Sequence, residues 1–545
     1  MDADFSHNPN DLPRLYDKCA REGYDVAIGS RYVSGVNVVN WPMGRVLMSY
    51  FASKYVRIIT GLPTHDTTAG FKCYRRQVLE TIGLDKIRFK GYAFQIEMKF
   101  TAYKCGFKIA EVPVIFVNRE LGTSKMNSSI FGEAIMGVIQ LKWYSWFHKY
   151  PQKKNLMKRT WIKNARIVNE GKTFHGSIVI ENDRIAEVIA DGTLPLHPCD
   201  EEIDAGGCYL MPGVIDDHVH FRDPGLTHKA DMHTESTAAA AGGVTSFMDM
   251  PNTTPQTTNL EALEAKFADA ATKSVVNYSF YFGATNNNAD MLSQLDKTRI
   301  CGVKLFMGAS TGNMLVDRME VLRKVFANAG MLIATHCEEQ AIISANTVAF
   351  KEKYGEDPDI KYHPEIRSAE ACMHSSSLAI KLAEETGARL HILHVSTAGE
   401  LDLFEDKPLS EKQITSEACV SHLYFCDKDY ETLGARIKCN PAIKTATDRE
   451  ALRQALATNR IDVIGTDHAP HLLKEKARWC LKAVSGMPMI QFSLVAIMEL
   501  VREGVLTIEQ LVQKMCHAPA ELYHIEKAGI YPTGVLCRFG FGKPR

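Results

Sequence analysis

The sequence lacks an excess of charge, a cysteine framework and a long apolar segment. Its 64 acidic and 63 basic residues leave a formal net charge of −1, which gives no electrostatic reason to expect nucleic acid as a partner. Its 14 cysteines form no CxxC pair, which favours a reducing compartment over secretion. No signal peptide is visible, and no apolar run is long and clean enough to span a bilayer. We therefore expect a cytoplasmic globular protein.

At 545 residues the chain is too long for one ordinary domain. A short polar and basic stretch at 151–157, PQKKNLM, separates two parts with different sequence patterns, and we interpret it as a linker. Met157 begins the second part so cleanly that we interpret the chain as a fusion, or as a read-through of two adjacent genes. Alternating β-branched residues and turn signals over 158–210 predict the short antiparallel strands of a small β-sandwich.

Residues 211–530 alternate short apolar runs with helical stretches, and this pattern predicts an α/β fold of the (β/α)8 TIM-barrel type. The eight runs are LMPGVIDDHVH, GVTSFMDMP, NYSFYFGA, CGVKLFMG, MLIATHCEE, RLHILHVST, QITSEACVSHLYF and IDVIGTDHAP. The tail at 531–545 ends abruptly, and we interpret it as truncated or aberrant. We therefore expect the sandwich to be incomplete, with an unpaired sheet edge.

Polar side chains stand on or at the ends of five of these runs, where a barrel gathers its functional groups. They are His218, His220, Lys304, His336, His394 and Asp467. One strand-end histidine is more often a core or surface group, but six such residues predict a metal centre, and imidazole with carboxylate suits zinc. Lys304 is the unusual member. It is either a lysine at the barrel rim or a neutral amine that can take up CO2 to form a bridging carbamate.

Residues 157 to about 530 resemble the dihydroorotases of the amidohydrolase superfamily. The matching motifs are PGVIDDHVHFRDPG, MDMPNTTP, GVKLFMGAS, THCEE, LHILHVST and GTDHAPH. The resemblance implies that the four histidines, a carbamylated Lys304 and Asp467 hold two zinc ions. It also implies that Arg222 binds the substrate carboxylate, for which a planar guanidinium is suited, and that Asn252 and His471 contact the substrate as well.

The activity implied by this resemblance is the reversible hydrolysis of dihydroorotate to N-carbamoyl-L-aspartate in pyrimidine biosynthesis. A zinc-bound hydroxide would attack the ring amide, and Asp467 would carry its proton to the departing nitrogen. Allantoinase and hydantoinase are the rivals, but their substrates lack a carboxylate that would match Arg222. A non-catalytic partner of aspartate transcarbamoylase would be expected to lose ligands, and none is missing. Met487 and Met489 are larger than the side chains that we expect near the substrate pocket. We also expect the protein to form a homo-oligomer.

Residues 1–150 are similar to the C-terminal part of family 2 glycosyltransferases of the polyprenol-phosphate mannosyltransferase type. The matching stretches are MDADFSHNP, VAIGSRYVSG, HDTTAGFKCYRR, GYAFQIEM and EVPVIFVNRELGTSKM. The resemblance implies that Asp2 and Asp4 bind Mg²⁺ or Mn²⁺, and that Arg31, Arg119 and Lys125 meet phosphates.

Because the chain starts at the Asp-x-Asp pair, we expect a partial doubly wound α/β sheet that is catalytically inactive. Sugar transfer to a polyprenol phosphate is the alternative function. The segment 129–150 carries Trp143 and Trp146 beside basic residues. It is interpreted either as a helix on a membrane surface or as a packed amphipathic helix.

Overall fold

The computed structural model describes residues 6–89, 91–117, 128–151, 158–308, 314–477, 479–525 and 539–542. The chain forms two compact units, Met1–Leu156 and Met157–Arg545, and each is described by itself. The boundary between them falls within the predicted linker at 151–157, and the other predicted domain bounds stay predictions.

The first unit is a small α/β unit. Its strands are β1 (Val26–Ser30), β2 (Val38–Val39), β3 (Lys72–Tyr74), β4 (Ile109–Pro113) and β5 (Phe116–Val117), and its helices are α1 (Leu12–Ala20), α2 (Met43–Thr60), α3 (Arg76–Ile82), α4 (Gly91–Lys104) and α5 (Ser128–Phe147). One sheet has the order β3-β1-β4, with β4 parallel and β3 antiparallel to β1, and β2 pairs with β5. Buried Val26, Ile28, Val78 and Met98 pack between this sheet and its helices. The unit is the partial α/β fragment that the sequence predicted.

The second unit begins with the strands of the small predicted domain. They are β6 (Arg159–Asn169), β7 (Lys172–Glu181), β8 (Arg184–Ala190), β9 (Glu201–Asp204) and β10 (Tyr209–Pro212). The order β10-β6-β7-β8 runs through one sheet, in which β9 also pairs with β6. The buried aliphatic side chains Ile162, Ile167, Ile178 and Ile185 form the core of this sheet.

Eight parallel strands form the barrel. They are β11 (Val214–Val219), β12 (Val244–Asp249), β13 (Asn277–Gly283), β14 (Gly302–Gly308), β15 (Ile333–Glu338), β16 (Leu390–Ile392), β17 (Ile414–Cys419) and β18 (Val463–Gly465), paired in chain order. The amide of His220 donates to the carbonyl of His468 at 2.7 Å, and the amide of His468 donates to the carbonyl of His218 at 3.2 Å. These bonds bring the first strand beside the end of the last strand, which confirms the predicted (β/α)8 barrel.

Helices connect the strands and cover the barrel. They are α6 (Met232–Ala241), α7 (Leu260–Lys273), α8 (Met319–Asn328), α9 (Gln340–Tyr354), α10 (His363–Ile366), α11 (Ala369–Thr386), α12 (Val420–Tyr424), α13 (Tyr430–Leu433), α14 (Ala446–Ala455), α15 (Leu473–Lys476), α16 (Ser493–Arg502), α17 (Ile508–Val512) and α18 (Ala518–Leu522). Their ends follow ordinary capping chemistry. Asp231 and Thr234 form a reciprocal capping box at the start of α6, and Gly387 ends α11 in the left-handed conformation.

The tail contributes a strand to the small sheet. Strand β19 (Phe539–Gly542) pairs antiparallel with β10, from Tyr209 opposite Gly542 to Pro212 opposite Phe539. This edge of the sheet, which we expected to be unpaired, is therefore covered over four residues. The rest of the predicted tail, apart from these four residues, lies outside the described part of the chain.

Candidate metal centre and substrate clamp

Three of the predicted metal ligands meet where the barrel closes. His218 lies in β11, His220 follows that strand, and Asp467 lies two residues after β18. The Asp467 Oδ1 atom is 3.3 Å from His218 Nε2 and 3.1 Å from His220 Nε2. The two histidines are alternate residues of one strand, so their rings reach the same side, and their centroids are 5.5 Å apart.

Hydrogen bonds fix which nitrogen of each ring faces Asp467. His218 Nδ1 donates to Glu417 Oε1 at 2.9 Å, and His220 Nδ1 donates to Asn252 Oδ1 at 2.7 Å. Each Nε2 atom therefore presents a lone pair to the Asp467 carboxylate. A lone pair facing an anion is repulsive unless a cation lies between them, so this arrangement fits a bound metal ion.

The other two histidines form a second pair of ligand atoms. His336, in β15, places Nδ1 2.9 Å from Nε2 of His394, which follows β16. His336 Nε2 lies 3.0 Å from Glu338 Oε2, and Arg367 holds that carboxylate through bonds from its Nε at 3.0 Å. The rings of His394 and His218 are 5.3 Å apart, so the two pairs of ligands belong to one site.

Lys304 lies inside β14 and is buried. Burial lowers the pKa of its ammonium group to about 8, because a charged amine is poorly stabilised away from water. Its Nζ lies 4.8 Å from the centre of the Phe306 ring. At neutral pH, a larger fraction of Lys304 is therefore in the neutral amine form that a carbamate requires than for an exposed lysine.

Protonation states in the site favour cation binding. Burial lowers the pKa of His218 to about 4 and also lowers that of His220, so both rings are neutral at pH 7. Burial alone would raise the pKa of Asp467, but its interactions with His218 and His220 lower it, and the carboxylate stays ionised. Neutral imidazoles and an ionised carboxylate are the forms that bind metal.

The ligand spacing also fits metal ions. Ligand atoms on a tetrahedral ion with bonds of about 2.0–2.1 Å lie roughly 3.3 Å apart. Here Asp467 lies 3.1–3.3 Å from the two Nε2 atoms, and the second pair is 2.9 Å apart. The residues present therefore fit one ion at His218, His220 and Asp467, and a second ion at His336 and His394, with Lys304 in the adjacent strand.

The predicted substrate residues lie beside the ligands. Arg222 lies two residues after His220 and has a left-handed φ of 65°. It is buried and donates from Nε to the Pro470 carbonyl at 3.2 Å. Its Nη2 lies 2.8 Å from His471 Nε2. His471 Nδ1 lies 3.0 Å from Lys229 Nζ, and its Nε2 also lies 2.9 Å from the Ser485 carbonyl oxygen.

Burial and three surrounding cations lower the pKa of His471 to about 3, so this ring stays neutral. The side-chain oxygen of Asn252 lies 2.7 Å from His220 Nδ1 and orients that ring, while its contact with the substrate stays a prediction. The cationic group that can meet a carboxylate at this side of the site is the Arg222 guanidinium, and Lys229 lies behind His471.

The side chains of Met487 and Met489 pack against other residues of the barrel and are little exposed to solvent. Met487 is buried, and its carbonyl accepts from the amide of Ala469 at 2.8 Å. Ala469 lies between Asp467, a predicted metal ligand, and His471. Met489 is partly buried against the barrel core. Met487 thus supports the strand end that carries both functional residues.

Three residues that contact the predicted site residues were not predicted from the sequence: Glu417, Glu338 and Lys229. Glu417 and Glu338 are buried acids inside β17 and β15, and each contacts a metal-ligand histidine. A charged residue within an otherwise buried barrel strand was the available signal, as it was for Lys304. Lys229 lies in a loop, and nothing in its local pattern marked it.

The predicted site residues of the first unit are five, and one of them lies in the described part of the chain. Asp2, Asp4, Arg119 and Lys125 lie outside the described residues. Arg31 is buried and gives two hydrogen bonds of 2.7 Å to the Asp66 carboxylate, with a third of 2.8 Å to Thr68. The structure thus gives Arg31 a partner within the fold, where the sequence suggested a phosphate ligand.

The predicted surface segment at 129–150 corresponds to helix α5. Trp143, Trp146 and Phe147 are exposed on it, whereas Val138 and Leu141 are buried. The helix therefore packs on one face and exposes aromatic side chains on another, which is compatible with both interpretations. Within the described ranges, no helix combines the length and apolar character needed to cross a bilayer.

Known proteins resemble the two units separately. The Amidohydrolase family profile matches residues 209–532, and the Glycosyl transferase family 2 profile matches residues 1–83. A dihydroorotase of Methanosarcina acetivorans is 31% identical over 379 residues, which cover 68% of this chain and 79% of that protein. A dihydroorotase of Bacillus cereus is 31% identical over 373 residues, covering 67% and 84%.

A solved L-hydantoinase (dihydropyrimidinase) from Arthrobacter aurescens superposes with a TM-score of 0.66 and 27% identity, covering 70% of this chain and 86% of that structure. The family profile spans more than half of the chain, and the metal-site geometry lies within the matched residues. The chain belongs to the amidohydrolase family, with a glycosyltransferase family 2 fragment in front.

Proposed function

We propose that residues 157–545 form a zinc-dependent dihydroorotase, which interconverts dihydroorotate and N-carbamoyl-L-aspartate. The observation that carries this proposal is the buried Arg222 guanidinium beside a complete set of metal ligands. Dihydroorotate is a cyclic amide with one carboxylate, so it needs both an activated water and a fixed cation. The dihydroorotases that are 31% identical to this chain support the same assignment.

Two metal ions at these ligands would acidify a water molecule and polarise the amide carbonyl of the ring. His218 and His220 would hold one ion, and His336 and His394 the other. Asp467 and a carbamylated Lys304 would complete the set. Glu417 and Asn252 orient the first two rings through Nδ1, which keeps each Nε2 directed toward the ion.

Asp467 is the residue that moves the proton. Its carboxylate is ionised and lies within 3.3 Å of both Nε2 atoms, so a water molecule held at these ligands would lie next to it. It accepts the proton of that water and delivers it to the ring nitrogen as the amide bond breaks. In the cyclisation direction the same carboxylate returns the proton.

Arg222 positions the substrate. It is buried, so water competes weakly for its donors, and a guanidinium can bind both oxygens of a carboxylate. Neutral His471 contributes the wall of this pocket without adding a second charge. The clamp places the ring amide over the metal ligands and leaves the chemistry to Asp467.

A hydantoinase or dihydropyrimidinase is the second candidate, because the superposed Arthrobacter protein has that activity in its name. Hydantoins carry no carboxylate on the ring, so a buried Arg222 facing the pocket would be a disadvantage for them. For this reason we place dihydroorotate first. An allantoinase is disfavoured on the same ground.

The first unit is proposed to be catalytically inactive, since Arg31 is already bound to Asp66 and the family 2 profile covers only residues 1–83. A polyprenol-phosphate glycosyltransferase activity of the whole chain is therefore not preferred. A cytoplasmic location and a homo-oligomeric state stay predictions, and so do the membrane contact through α5 and a metal at Asp2 and Asp4.

The purified full chain tests this proposal through ring opening of dihydroorotate, hydantoin and allantoin, each followed with and without a chelator. We expect dihydroorotate to be the preferred substrate, activity to fall on chelation, and zinc to restore it. Preference for hydantoin or allantoin would overturn the substrate assignment. Full activity after complete metal removal would overturn the metal-dependent mechanism.

A further inference from the structure

A second cluster of buried ligand atoms lies inside the barrel, next to the metal centre. Asp217 in β11, His391 in β16 and Glu417 in β17 are each 0% exposed, and their ligand atoms lie within 4.8 Å of one another. None of the three belongs to the proposed ligands of the two-metal centre. Two carboxylates and an imidazole in one dry space require a compensating partner, because burying such groups unpaired is unfavourable.

Each of these residues has one satisfied and one unsatisfied polar atom. Asp217 Oδ2 accepts from Tyr523 at 3.0 Å, and Glu417 Oε1 accepts from His218 at 2.9 Å. By contrast, Asp217 Oδ1, Glu417 Oε2 and His391 Nε2 make no hydrogen bond with any described residue. Buried polar atoms are almost always satisfied, so three unsatisfied ones in a single cluster indicate a missing ligand.

The tautomer of His391 supports a cation as that ligand. Thr415 Oγ1 donates its only proton to the Leu390 carbonyl at 3.1 Å, so at 2.8 Å it accepts from His391 Nδ1. In the neutral ring this leaves a lone pair on Nε2, which lies 3.5 Å from Asp217 Oδ2. The lone pair and the carboxylates repel one another unless a positive charge lies between them.

A glycine keeps the space beside these atoms open. A Cβ built on Gly465 in β18 would lie 2.7 Å from Glu417 Oε2 and 2.9 Å from Asp217 Oδ1. The two unsatisfied carboxylate oxygens therefore point to the same side of β18, where the chain has no side chain. Any larger residue at this position would fill the space into which they are directed.

We propose that Asp217, His391 and Glu417 bind a third divalent cation of the zinc type, separate from the two-metal centre. One imidazole nitrogen and two carboxylate oxygens are a mixed donor set that suits such an ion, and its two charges balance the two carboxylates. Glu417 would link this ion to His218, and through it to the catalytic ligands. The ion would tie β11, β16 and β17 together and fix the orientation of His218.

A cleft lies at the opposite face of the barrel, and one residue that lines it also contacts the cluster. A cleft of about 1230 Å³ opens at the N-terminal ends of β13 to β16, and Tyr523 lines it. The hydroxyl of Tyr523 contacts both Asp217 and, at 2.6 Å, Tyr281. Tyr523 therefore connects the wall of this cleft to the cluster through one hydrogen bond.

The test is a crystal structure of the zinc-loaded full chain with anomalous data on both sides of the zinc K edge. We expect a third anomalous peak between Asp217, His391 and Glu417. Density there without anomalous signal would identify a water molecule, and no density would identify an imidazolium held directly between the carboxylates. Either of these two results overturns the proposal.

Zinc content per chain gives an independent measurement. We expect three equivalents in the natural protein and two in Asp217→Asn and in His391→Phe. The matched control is His336→Asn, which removes a ligand of the two-metal centre and should leave the third peak in place. If neither cluster variant folds, the anomalous map of the natural protein still decides the question. Unchanged zinc content in folded Asp217→Asn and His391→Phe would contradict the proposal.

Discussion

Arg222 is a buried cation whose surroundings contain no carboxylate at hydrogen-bond distance among the described residues. Its Nε donates to a backbone carbonyl, and its Nη2 lies against neutral His471. Burial lowers the pKa of this guanidinium, although it stays charged at neutral pH. A charge held in this way is incompletely compensated by the protein alone, and an anionic ligand would compensate it.

Replacement of this residue tests that role. We expect Arg222→Met to lower kcat/KM for dihydroorotate about 100-fold, equivalent to about 3 kcal/mol, because two charge-assisted hydrogen bonds are lost. Zinc content should not change, since Arg222 is not a ligand. Arg299→Met is the control, because Arg299 is exposed and pairs with Glu264 at 2.6 Å. Loss of zinc in Arg222→Met would show that its role is in the metal centre.

The proposed function gives Asp467 two roles, as a metal ligand and as the carrier of the proton. In Asp467→Asn the amide cannot accept the proton, so we expect kcat to fall about 10³-fold. The exposed Asp402, which pairs with Arg460 at 2.9 Å, provides the control Asp402→Asn. Steady-state kinetics with added zinc separates the two roles. If excess zinc restored full activity to Asp467→Asn, the carboxylate would be a ligand and no more.

At the scale of elements, the barrel strands could be predicted from the sequence because most of their residues are buried, which makes each strand a short apolar run. Each of the eight apolar runs contains one observed strand, from β11 to β18, and helices lie between these strands as the alternation predicted. Strand ends were also informative, since a parallel barrel collects them on one face. For this reason the ligands could be proposed before any contact was known.

Contacts between distant residues could not be read in the same way. Glu417 meets His218 only because β17 and β11 both face the barrel interior, and its own strand pattern says nothing about that partner. Likewise, the sequence did not indicate that the Arg31 guanidinium would form an ion pair with Asp66. Side-chain pairing of this kind depends on the closed fold, whereas the strand pattern depends only on local burial.

The end of β14 provides a test of element packing. Gly308 has a φ of 101°, and a Cβ at this position would overlap the carbonyl oxygen of Glu338 on the neighbouring strand. We expect Gly308→Ala to lower the free energy of unfolding by about 3 kcal/mol or more, since both backbone strain and a backbone clash result.

Gly387→Ala is the matched control, because Gly387 also has a positive φ, of 73°, but a Cβ there meets no atom within 4 Å. It should cost about 1 kcal/mol, from strain alone. Urea unfolding measures both variants. Equal losses would mean that the close approach of β14 and β15 does not constrain Gly308.

At the scale of the whole molecule, buried neutral histidines make stability depend on pH. Burial lowers the pKa of His422 to about 4, and its Nε2 bonds the Pro441 carbonyl at 3.0 Å. An unfolded histidine has a pKa near 6.5. Between about pH 6.5 and 4 the unfolded chain therefore binds a proton that the folded chain excludes, and stability falls as the pH falls.

His422→Gln should remove this contribution. On lowering the pH from 7 to 5, the free energy of unfolding of the natural protein should fall by about 2 kcal/mol more than that of the variant. This follows from about 1.4 kcal/mol per pH unit for one proton. Urea unfolding of the chelator-treated protein measures this, and the exposed His175 gives the control His175→Gln. A parallel pH dependence in His422→Gln and the natural protein would mean that His422 is protonated in the fold.

The two units differ in what they contribute to the proposed activity. All the residues that we propose as metal ligands, and Arg222, belong to the unit Met157–Arg545, which also contains the whole Amidohydrolase match. Since no described residue of the first unit is assigned a step, a chain of residues 157–545 should keep kcat/KM for dihydroorotate within about twofold, a difference of about 0.4 kcal/mol. The comparison requires both chains loaded with zinc to the same content. A large loss of kcat/KM at equal zinc content and intact circular dichroism would show that the first unit takes part in catalysis.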